Sequence, residues 1–295
     1  MPERRIEIKS SQTADYTCFS RGCATREHDP RFRGPDTMAE LLFPPKARLM
    51  LNVAPLRKFI MHRMFPPGMH EYVFVRTKVM DTAFVEALDA GFAQIVLLGA
   101  GFDTRALRFA DRNRGTKIFE LDAPTTQQAK VGVLRRKKIP LPEDLIFAPI
   151  NFDREAIADV LTKAGFQSGQ KSLFLWEGVT MYLSAQAVDK TLDFIRHSST
   201  PGSRVAFDYI YAGVIRQENR YYGEQQGFEM VAKVGEGWTF GLEEGEIGPF
   251  LIQRGFQLVA HYTSTDLEKL YLTEPDGTLH ARVNGTHCIV LASVQ

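Results

Sequence analysis

Seven short apolar runs, at 94–98, 116–121, 145–150, 172–177, 203–210, 256–263 and 287–294, punctuate the chain, and stretches with helical character separate the first five. The run Ile95-Val96-Leu97-Leu98 shows no polar alternation, as expected of a parallel strand covered on both faces. Crossover helices are expected over 125–138, 154–164 and 185–198. In the last, Ala185, Val188, Leu192 and Ile195 share one face and Ser184 stands where an N-cap belongs. No full-length amphipathic crossover separates the sixth run from the seventh. Glu274-Pro275-Asp276-Gly277 and Asn284-Gly285 instead mark turns, so the last strand is expected to be antiparallel. The pattern predicts an α/β fold, a Rossmann-like seven-stranded mostly parallel sheet with a reversed last strand.

Two regions fall outside that alternation. Residues 1–93 are broken by Pro30, Pro35, Pro44-Pro45, Pro55 and Pro66-Pro67, which predicts short helices joined by turns. Residues 211–245 hold Tyr211, Tyr221, Tyr222, Phe228, Trp238 and Phe240, too long for a simple loop and too apolar for disorder. We expect a helical N-terminal cap over 1–93 and a core over 94–295, with 211–245 inserted as a lid at the C-terminal ends of the strands, where open α/β sheets bind ligands.

Charge narrows the choice little. The net charge of +1 with 24% charged residues gives no electrostatic footprint for nucleic acid or an anionic membrane. The basic run Arg135-Arg136-Lys137-Lys138 reads as a solvated helix end before Pro140. No apolar stretch approaches the roughly 20 residues of a spanning helix, and the N-terminus lacks a signal-peptide core, which predicts a cytoplasmic protein. Cys18, Cys23 and Cys288 fit reduced thiols there, and Cys18 and Cys23 with His28 match no zinc spacing, so no metal is expected.

The chemistry concentrates at Gln94-Ile95-Val96-Leu97-Leu98-Gly99-Ala100-Gly101-Phe102-Asp103-Thr104-Arg105, a buried strand running into a glycine turn and then a helix. Two glycines allow close approach of a ligand to the backbone. Asp122, ending the next apolar run, is placed to accept from ribose hydroxyls. The third glycine of the dinucleotide fingerprint would fall at Thr104, behind the acidic Asp103. An acid there opposes a pyrophosphate and suits a ligand with ribose and adenine but no phosphate, of which S-adenosylmethionine is the common one.

The wider text supports this. Leu98 through Arg105, then Phe119-Glu120-Leu121-Asp122-Ala123-Pro124 with Lys130, then Trp176-Glu177-Gly178-Val179-Thr180-Met181-Tyr182-Leu183, closely resembles the leucine carboxyl methyltransferase family, which includes protein phosphatase methyltransferases and polyketide O-methyltransferases. The resemblance extends upstream to Val75-Arg76-Thr77 with Asp81 and to Thr13 through Arg21 and Asp29-Pro30, and weakens after about residue 210. It implies S-adenosyl-L-methionine-dependent O-methyl transfer to a carboxylate or hydroxyl of a small natural-product-like molecule; a protein C-terminal carboxylate is the alternative.

The resemblance also implies roles. Arg76 would fork the cofactor's carboxylate. Gly99, Ala100 and Gly101, with Asp103 in the same turn, would approach its methionyl and ribose parts, and Asp122 the ribose. Glu120 would support that turn or the loop from the helical cap, or is simply a strand-end carboxylate. Where the family has an acid and a leucine for adenine, this chain has Asn151-Phe152, or, with the register shifted by two, Asp153. Glu177 would face the cofactor's amino group and the sulfonium, and Tyr182 would lie near the transferring methyl.

A carboxylic acid with a pKa of about 4 is already ionised at neutral pH and needs no base, whereas a phenol near about 10 gains from one. His70, His197, His261, His280 and His287 form no His-Asp pair at telling spacing, which favours a carboxylate acceptor. Arg220 could hold it, and Tyr209, Tyr211, Tyr221 and Tyr222 could line a pocket for a flat or apolar molecule. Three other readings compete: an NAD(P)-dependent oxidoreductase, which Asp103 and Thr104 oppose, a non-catalytic cofactor-binding module, and a tRNA-modifying relative, which the near-neutral charge opposes. Neither nucleic acid nor membrane is expected as a partner, and a homodimer is compatible with the sequence.

Overall fold

The computed structural model describes residues 12–43, 48, 51–152, 154–234 and 237–295. One seven-stranded sheet organises them: β1 (Gln94–Leu98), β2 (Lys117–Asp122), β3 (Leu145–Pro149), β4 (Ser172–Trp176), β5 (Arg204–Ile210), β6 (Phe256–Tyr262) and β7 (His287–Val294). Their spatial order is β3-β2-β1-β4-β5-β7-β6. The first five run parallel, and β7 is inserted antiparallel between β5 and β6. Every strand lies within one residue of its expected bounds. Central strands β1 and β4 are buried at every position, as a sheet covered on both faces requires. Edge strand β6 is bulged between Leu258 and Ala260, which discourages further pairing.

The chain winds outward from β1 to β2 and β3, then returns to β4 on the other side of β1. The switch between β1 and β4 opens a crevice at their C-terminal ends. Gly99 follows β1 and Glu177 follows β4, so both crevice walls come from the motifs the sequence singles out.

A long helix packs on one face of the sheet. The 21-residue α3 (Met69–Asp89) buries thirteen residues, among them Tyr72, Arg76 and Asp81. Gly68, at φ +74°, caps its start; a Cβ there would lie 2.4 Å from Asn284 N. Pro66-Pro67 thus ends one segment and launches a long helix, where the proline pattern predicts only short ones. Ahead of it, α1 (Gln12–Ala24) packs on α3, and α2 (Ala54–Met64) buries no residue. Pro44-Pro45 lies outside the described residues.

The crossovers follow. A short α4 (Arg105–Arg108) leaves the glycine turn, and α5 (Pro124–Arg136) begins on a proline that its first turn accommodates. The next, α6 (Ile157–Lys163), starts later than expected because Asn151 O accepts from Arg154 N and Glu155 N in a turn that Glu155 closes back on Asn151 N. Ser184 caps α7 (Ala185–Ser198) by accepting from Ala187 N.

Between β5 and β6 lie α8 (Ala212–Ile215), α9 (Glu224–Val234) and α10 (Ile247–Ile252). This segment is fastened to the core: Thr239 N donates to Met181 O at 2.7 Å, Leu242 N to Ile210 O at 3.0 Å, and Trp238 and Phe240 are buried. A helix also joins β6 to β7, α11 (Ser264–Tyr271), held by a capping box between Thr263 and Asp266. No helix among the described residues is long and apolar enough to cross a membrane.

Candidate functional site

The glycine turn after β1 is shaped around Asp122. Gly99 N and Ala100 N both donate to Leu121 O at 2.9 Å, and Gly101 N donates to Asp122 Oδ2 at 2.5 Å. Ala123 N binds the other carboxylate oxygen at 2.6 Å. Burial pushes the Asp122 carboxyl up, against the lowering effect of these two amides. Gly99 and Gly101 sit at φ +72° and +51°, and a Cβ on Gly99 would meet Val179 Cγ2 at 2.5 Å. Helix α1 overlies the turn: a Cβ on Gly101 would lie 3.2 Å from Ala14, and Arg21 Nη2 donates to Phe102 O at 2.6 Å.

Next to this turn a buried ionic network joins α1, α3, α4 and the ends of β4 and β5. Arg105 donates to Asp81 (2.8 Å), to Glu177 (2.8 Å) and to Asp103. Arg76 pairs with Asp208 at 2.6 Å and Glu177 at 3.0 Å. Arg108 pairs with Asp81, and Arg21 with Asp36 at 3.0 Å. No side chain in this set of four arginines and five carboxylates is more than 12% exposed. Burial opposes ionisation of Glu177, but Arg105 and Arg76 outweigh it and hold its carboxyl below the usual range. Asp103 is held low in the same way, by Arg105, Lys130 and Arg21. The set carries one net negative charge.

A cavity opens beside the network, lined by Arg76, Gly178, Met181, Tyr182, Trp238 and His287 among others. Gly178, at φ +70°, donates its N–H to Asp208 Oδ1 at 2.6 Å, and a Cβ there would lie 3.1 Å from Arg76 Nη1. The remaining wall is largely apolar or aromatic, including Phe65, Met69, Tyr72 and Met230.

The sequence-selected residues divide accordingly. Arg76, Gly99, Ala100, Gly101, Asp103, Asp122, Glu177 and half-buried Tyr182 lie at the crevice or on this cavity. Glu120 is bonded to Lys130 Nζ at 2.6 Å with both side chains buried, and lies near enough to Asp103 and Asp122 for their charges to act on its carboxyl. Asn151 N donates to Glu155, and Phe152 is 40% exposed at the end of β3; Asp153 lies outside the described residues.

None of the five residues expected to bind the acceptor lines this cavity, but Tyr222 lines a second, larger one that shares Tyr16, Phe65 and Met230 with it. Tyr209 is fully buried and meets His261 Nε2 at 3.0 Å, because consecutive strand positions face opposite ways and Asp208 takes the side toward Arg76. Tyr211 stacks on Tyr221, whose hydroxyl donates to Glu244, and Arg282 lies over Tyr222. Arg220, 54% exposed, makes surface pairs with Glu218 and Glu244. Sequence reasoning missed Asp208, Arg105 and His287. The one available signal for Asp208 is a lone acid within the apolar run Val205-Ala206-Phe207-Asp208-Tyr209-Ile210.

The model of the leucine carboxyl methyltransferase family matches residues 16–196, more than half of the chain. The chain belongs to the leucine carboxyl methyltransferase family. The match spans the crevice from α1 through α7 and ends before Asp208 and His287. A Mycolicibacterium smegmatis protein named "Putative S-adenosyl-L-methionine-dependent methyltransferase" is 34% identical over 167 residues, 52% of this chain and 50% of the relative. A Streptomyces coelicolor protein of the same description is 34% identical over 145 residues, 49% of this chain and 50% of the relative. The chain spans about half the length of the curated relatives it matches.

Two solved structures share the fold over almost the whole chain. A protein of Streptomyces avermitilis described as a DUF574 family member superposes with a TM-score of 0.60 at 12% identity, covering 99% of this chain and 100% of the other. A Thermobifida fusca protein described as a methyltransferase by inference gives 0.59 at 15% identity, covering 96% and 98%. Among the described residues of this family member, no group of three His, Cys, Asp or Glu side chains could hold a metal; Cys18, Cys23 and Cys288 are buried free thiols.

Proposed function

We propose that this chain is an S-adenosyl-L-methionine-dependent O-methyltransferase acting on a small, largely apolar molecule. The observation that carries the reading is the buried network of four arginines and five carboxylates at the β1/β4 switch, which opens onto an apolar cavity. S-adenosylmethionine carries one carboxylate, one ammonium and one sulfonium, so its net positive charge complements the network's net negative one. A dinucleotide would bring its pyrophosphate against Asp103 and Asp122.

The residues fit this ligand part by part. The Asp122 carboxylate accepts a backbone N–H at each oxygen and a further hydrogen bond from Thr126, which leaves one of its four lone pairs for a ribose hydroxyl. Gly99 and Gly101, at positive φ and packed against Val179 and Ala14, hold the turn in a form that no side chain would allow. Buried Arg76 Nε lies 3.0 Å from Glu177 but makes no well-aligned hydrogen bond among the described residues, leaving a donor for the methionyl carboxylate. Glu177 and Asp103, both held ionised, suit the ammonium and lower the potential around the sulfonium. Asn151, whose carbonyl can accept from an adenine amine, and Phe152 stand at the end of β3.

When bound, the sulfonium supplies an electrophilic methyl group for in-line displacement by an acceptor oxygen. The protein's work is then alignment and exclusion of water, which Tyr182, Met181, Trp238 and the apolar wall perform around the acceptor. Incubation with methyl-tritiated S-adenosylmethionine and a panel of small acids, phenols and peptides tests the reading. Label should pass to small acceptors, base-labile if an ester forms and base-stable if an ether forms. Absence of transfer with the cofactor still bound would reduce the protein to a binding module.

A further inference from the structure

The turn entering β7 fixes the state of one imidazole. Asn284 Nδ2 donates to Pro67 O at 3.0 Å and Asn284 N to Gly68 O at 2.9 Å, which orients the amide. Its Oδ1 therefore accepts from Thr286 N at 3.2 Å and from Thr286 Oγ1 at 2.5 Å. With its only proton committed, the Thr286 hydroxyl can only accept from His287, whose Nδ1 lies 2.6 Å away. His287 is thereby the Nδ1–H tautomer and carries its basic lone pair at Nε2.

That ring lines the cavity. It lies 4.6 Å from the Tyr72 ring and edge-on to Trp238 at 5.6 Å. Trp238 lines the same cavity, and its buried Nε1–H has no hydrogen-bond partner among the described residues. An acceptor-plus-donor pair of this kind suits a hydroxyl, which gives one hydrogen bond and takes another. A carboxylate fits poorly. Among the described wall residues Arg76 is the only cation, and its one spare donor, Nε, is the one assigned to the cofactor's carboxylate.

We propose that His287 is the proton acceptor for a hydroxyl-bearing methyl acceptor, phenolic or enolic, bound in this cavity. The proposal rests on the O-methyltransferase reading and narrows it from carboxylates to hydroxyls. The acceptor's oxygen lone pair forms the C–O bond, the C–S pair stays with sulfur as a thioether, and the O–H proton passes to His287 Nε2. The charged and titratable groups facing the ring are Arg76 and Tyr72 of α3, with Asp208 of β5 behind them. Burial, and then Arg76, push the imidazole down to about 3, so it is neutral and able to accept throughout the physiological range. A weak base suffices, because the oxygen's proton becomes strongly acidic as the C–O bond forms.

Two measurements test this. S-adenosylhomocysteine release is followed with phenols graded in acidity from phenol to 2,4-dinitrophenol, with benzoate as the carboxylate, for the wild type and His287→Phe. The variant should lose about 10²-fold or more on phenol and progressively less as the acceptor ionises by itself. Equal losses on every phenol, or wild-type preference for benzoate, would overturn the role of His287 while leaving methyl transfer standing. No transfer to any acceptor by the wild type would remove the parent reading and this role with it. Nitrogen-15 spectra of the wild-type imidazoles need no variant and no turnover. Nδ1 protonated and Nε2 bare across neutral pH is expected for His287, and the opposite tautomer or a charged ring there would overturn the assignment.

Discussion

Arg76 Nη1 lies 2.6 Å from Asp208 Oδ2, a carboxylate with no exposed surface, and Glu177 takes another side of the same guanidinium at 3.0 Å. One arginine thus holds the ends of β4 and β5 to α3. Tyr72, a turn earlier on α3, donates to the same Asp208 oxygen at 2.9 Å, and Gly178 N binds the other at 2.6 Å.

Arg76→Met should therefore destabilise the fold as well as weaken the ligand site. It leaves two buried carboxylates with a lost partner, a change that costs about 3–5 kcal/mol. Urea unfolding of the two proteins measures this directly, and a loss under about 1 kcal/mol would show that the network is far more hydrated than its burial indicates.

Glu120 and Lys130 make the opposite case. Burial pushes the Glu120 carboxyl up to about 7, Lys130 offsetting part of the rise, and Oε1 has no hydrogen-bond partner among the described residues. Glu120→Leu alone should cost about 3–5 kcal/mol by stranding Lys130, whereas Glu120→Leu with Lys130→Met should be neutral or stabilising by about 1–4 kcal/mol. Lys130 also helps hold Asp103 ionised, so ligand binding is tested with Glu120→Gln, which keeps Lys130 and should bind S-adenosylhomocysteine as the wild type does. A tenfold weaker dissociation constant would return Glu120 to the ligand's surroundings.

Stability should fall on acidification, in two overlapping stages. His287 is pushed from 6.5 down to about 3 by burial and by Arg76, so between those values the unfolded chain binds a proton that the folded one refuses. Stability then rises with pH across that window, by an amount on the order of 3–5 kcal/mol for a fully buried imidazole. Glu177 and Asp103, held low when folded, add stability that is present above their unfolded values and lost as pH drops through the folded ones. Glu120 has the reverse sign, disfavouring the fold as pH rises toward about 7. Urea midpoints of the wild type and His287→Phe between pH 4 and 7 separate the contributions. The variant's profile should be flatter, and parallel profiles would place the acid sensitivity elsewhere.

The sheet was legible because its central strands are covered on both faces and therefore written as unbroken apolar runs, as Ile95 to Leu98 shows. Gly99 and Gly101 were legible for a local reason, the turn that needs them. Helix α11 was not: only Leu267 of its eight residues is buried, although Thr263 and Asp266 spell its capping box. The five residues expected to bind the acceptor show what composition omits. It marks a tyrosine-rich segment as packed but gives no direction, and strand alternation turned Tyr209 away while turning Asp208 in. Asp208 and His287 depend on partners that sequence order hides. Arg76 and Asp208 are 132 positions apart, and the state of His287 is set by a turn whose Asn284-Gly285-Thr286 reads in sequence as an ordinary loop.

Calorimetric titration of the wild-type protein with S-adenosylhomocysteine and, separately, with NADH tests the central claim most directly. A crevice with Asp103 and Asp122 beside the glycine turn and one surplus negative charge should bind S-adenosylhomocysteine at least about tenfold more tightly, a difference of about 1.4 kcal/mol. Tighter binding of NADH, or heat from neither ligand, would contradict the account.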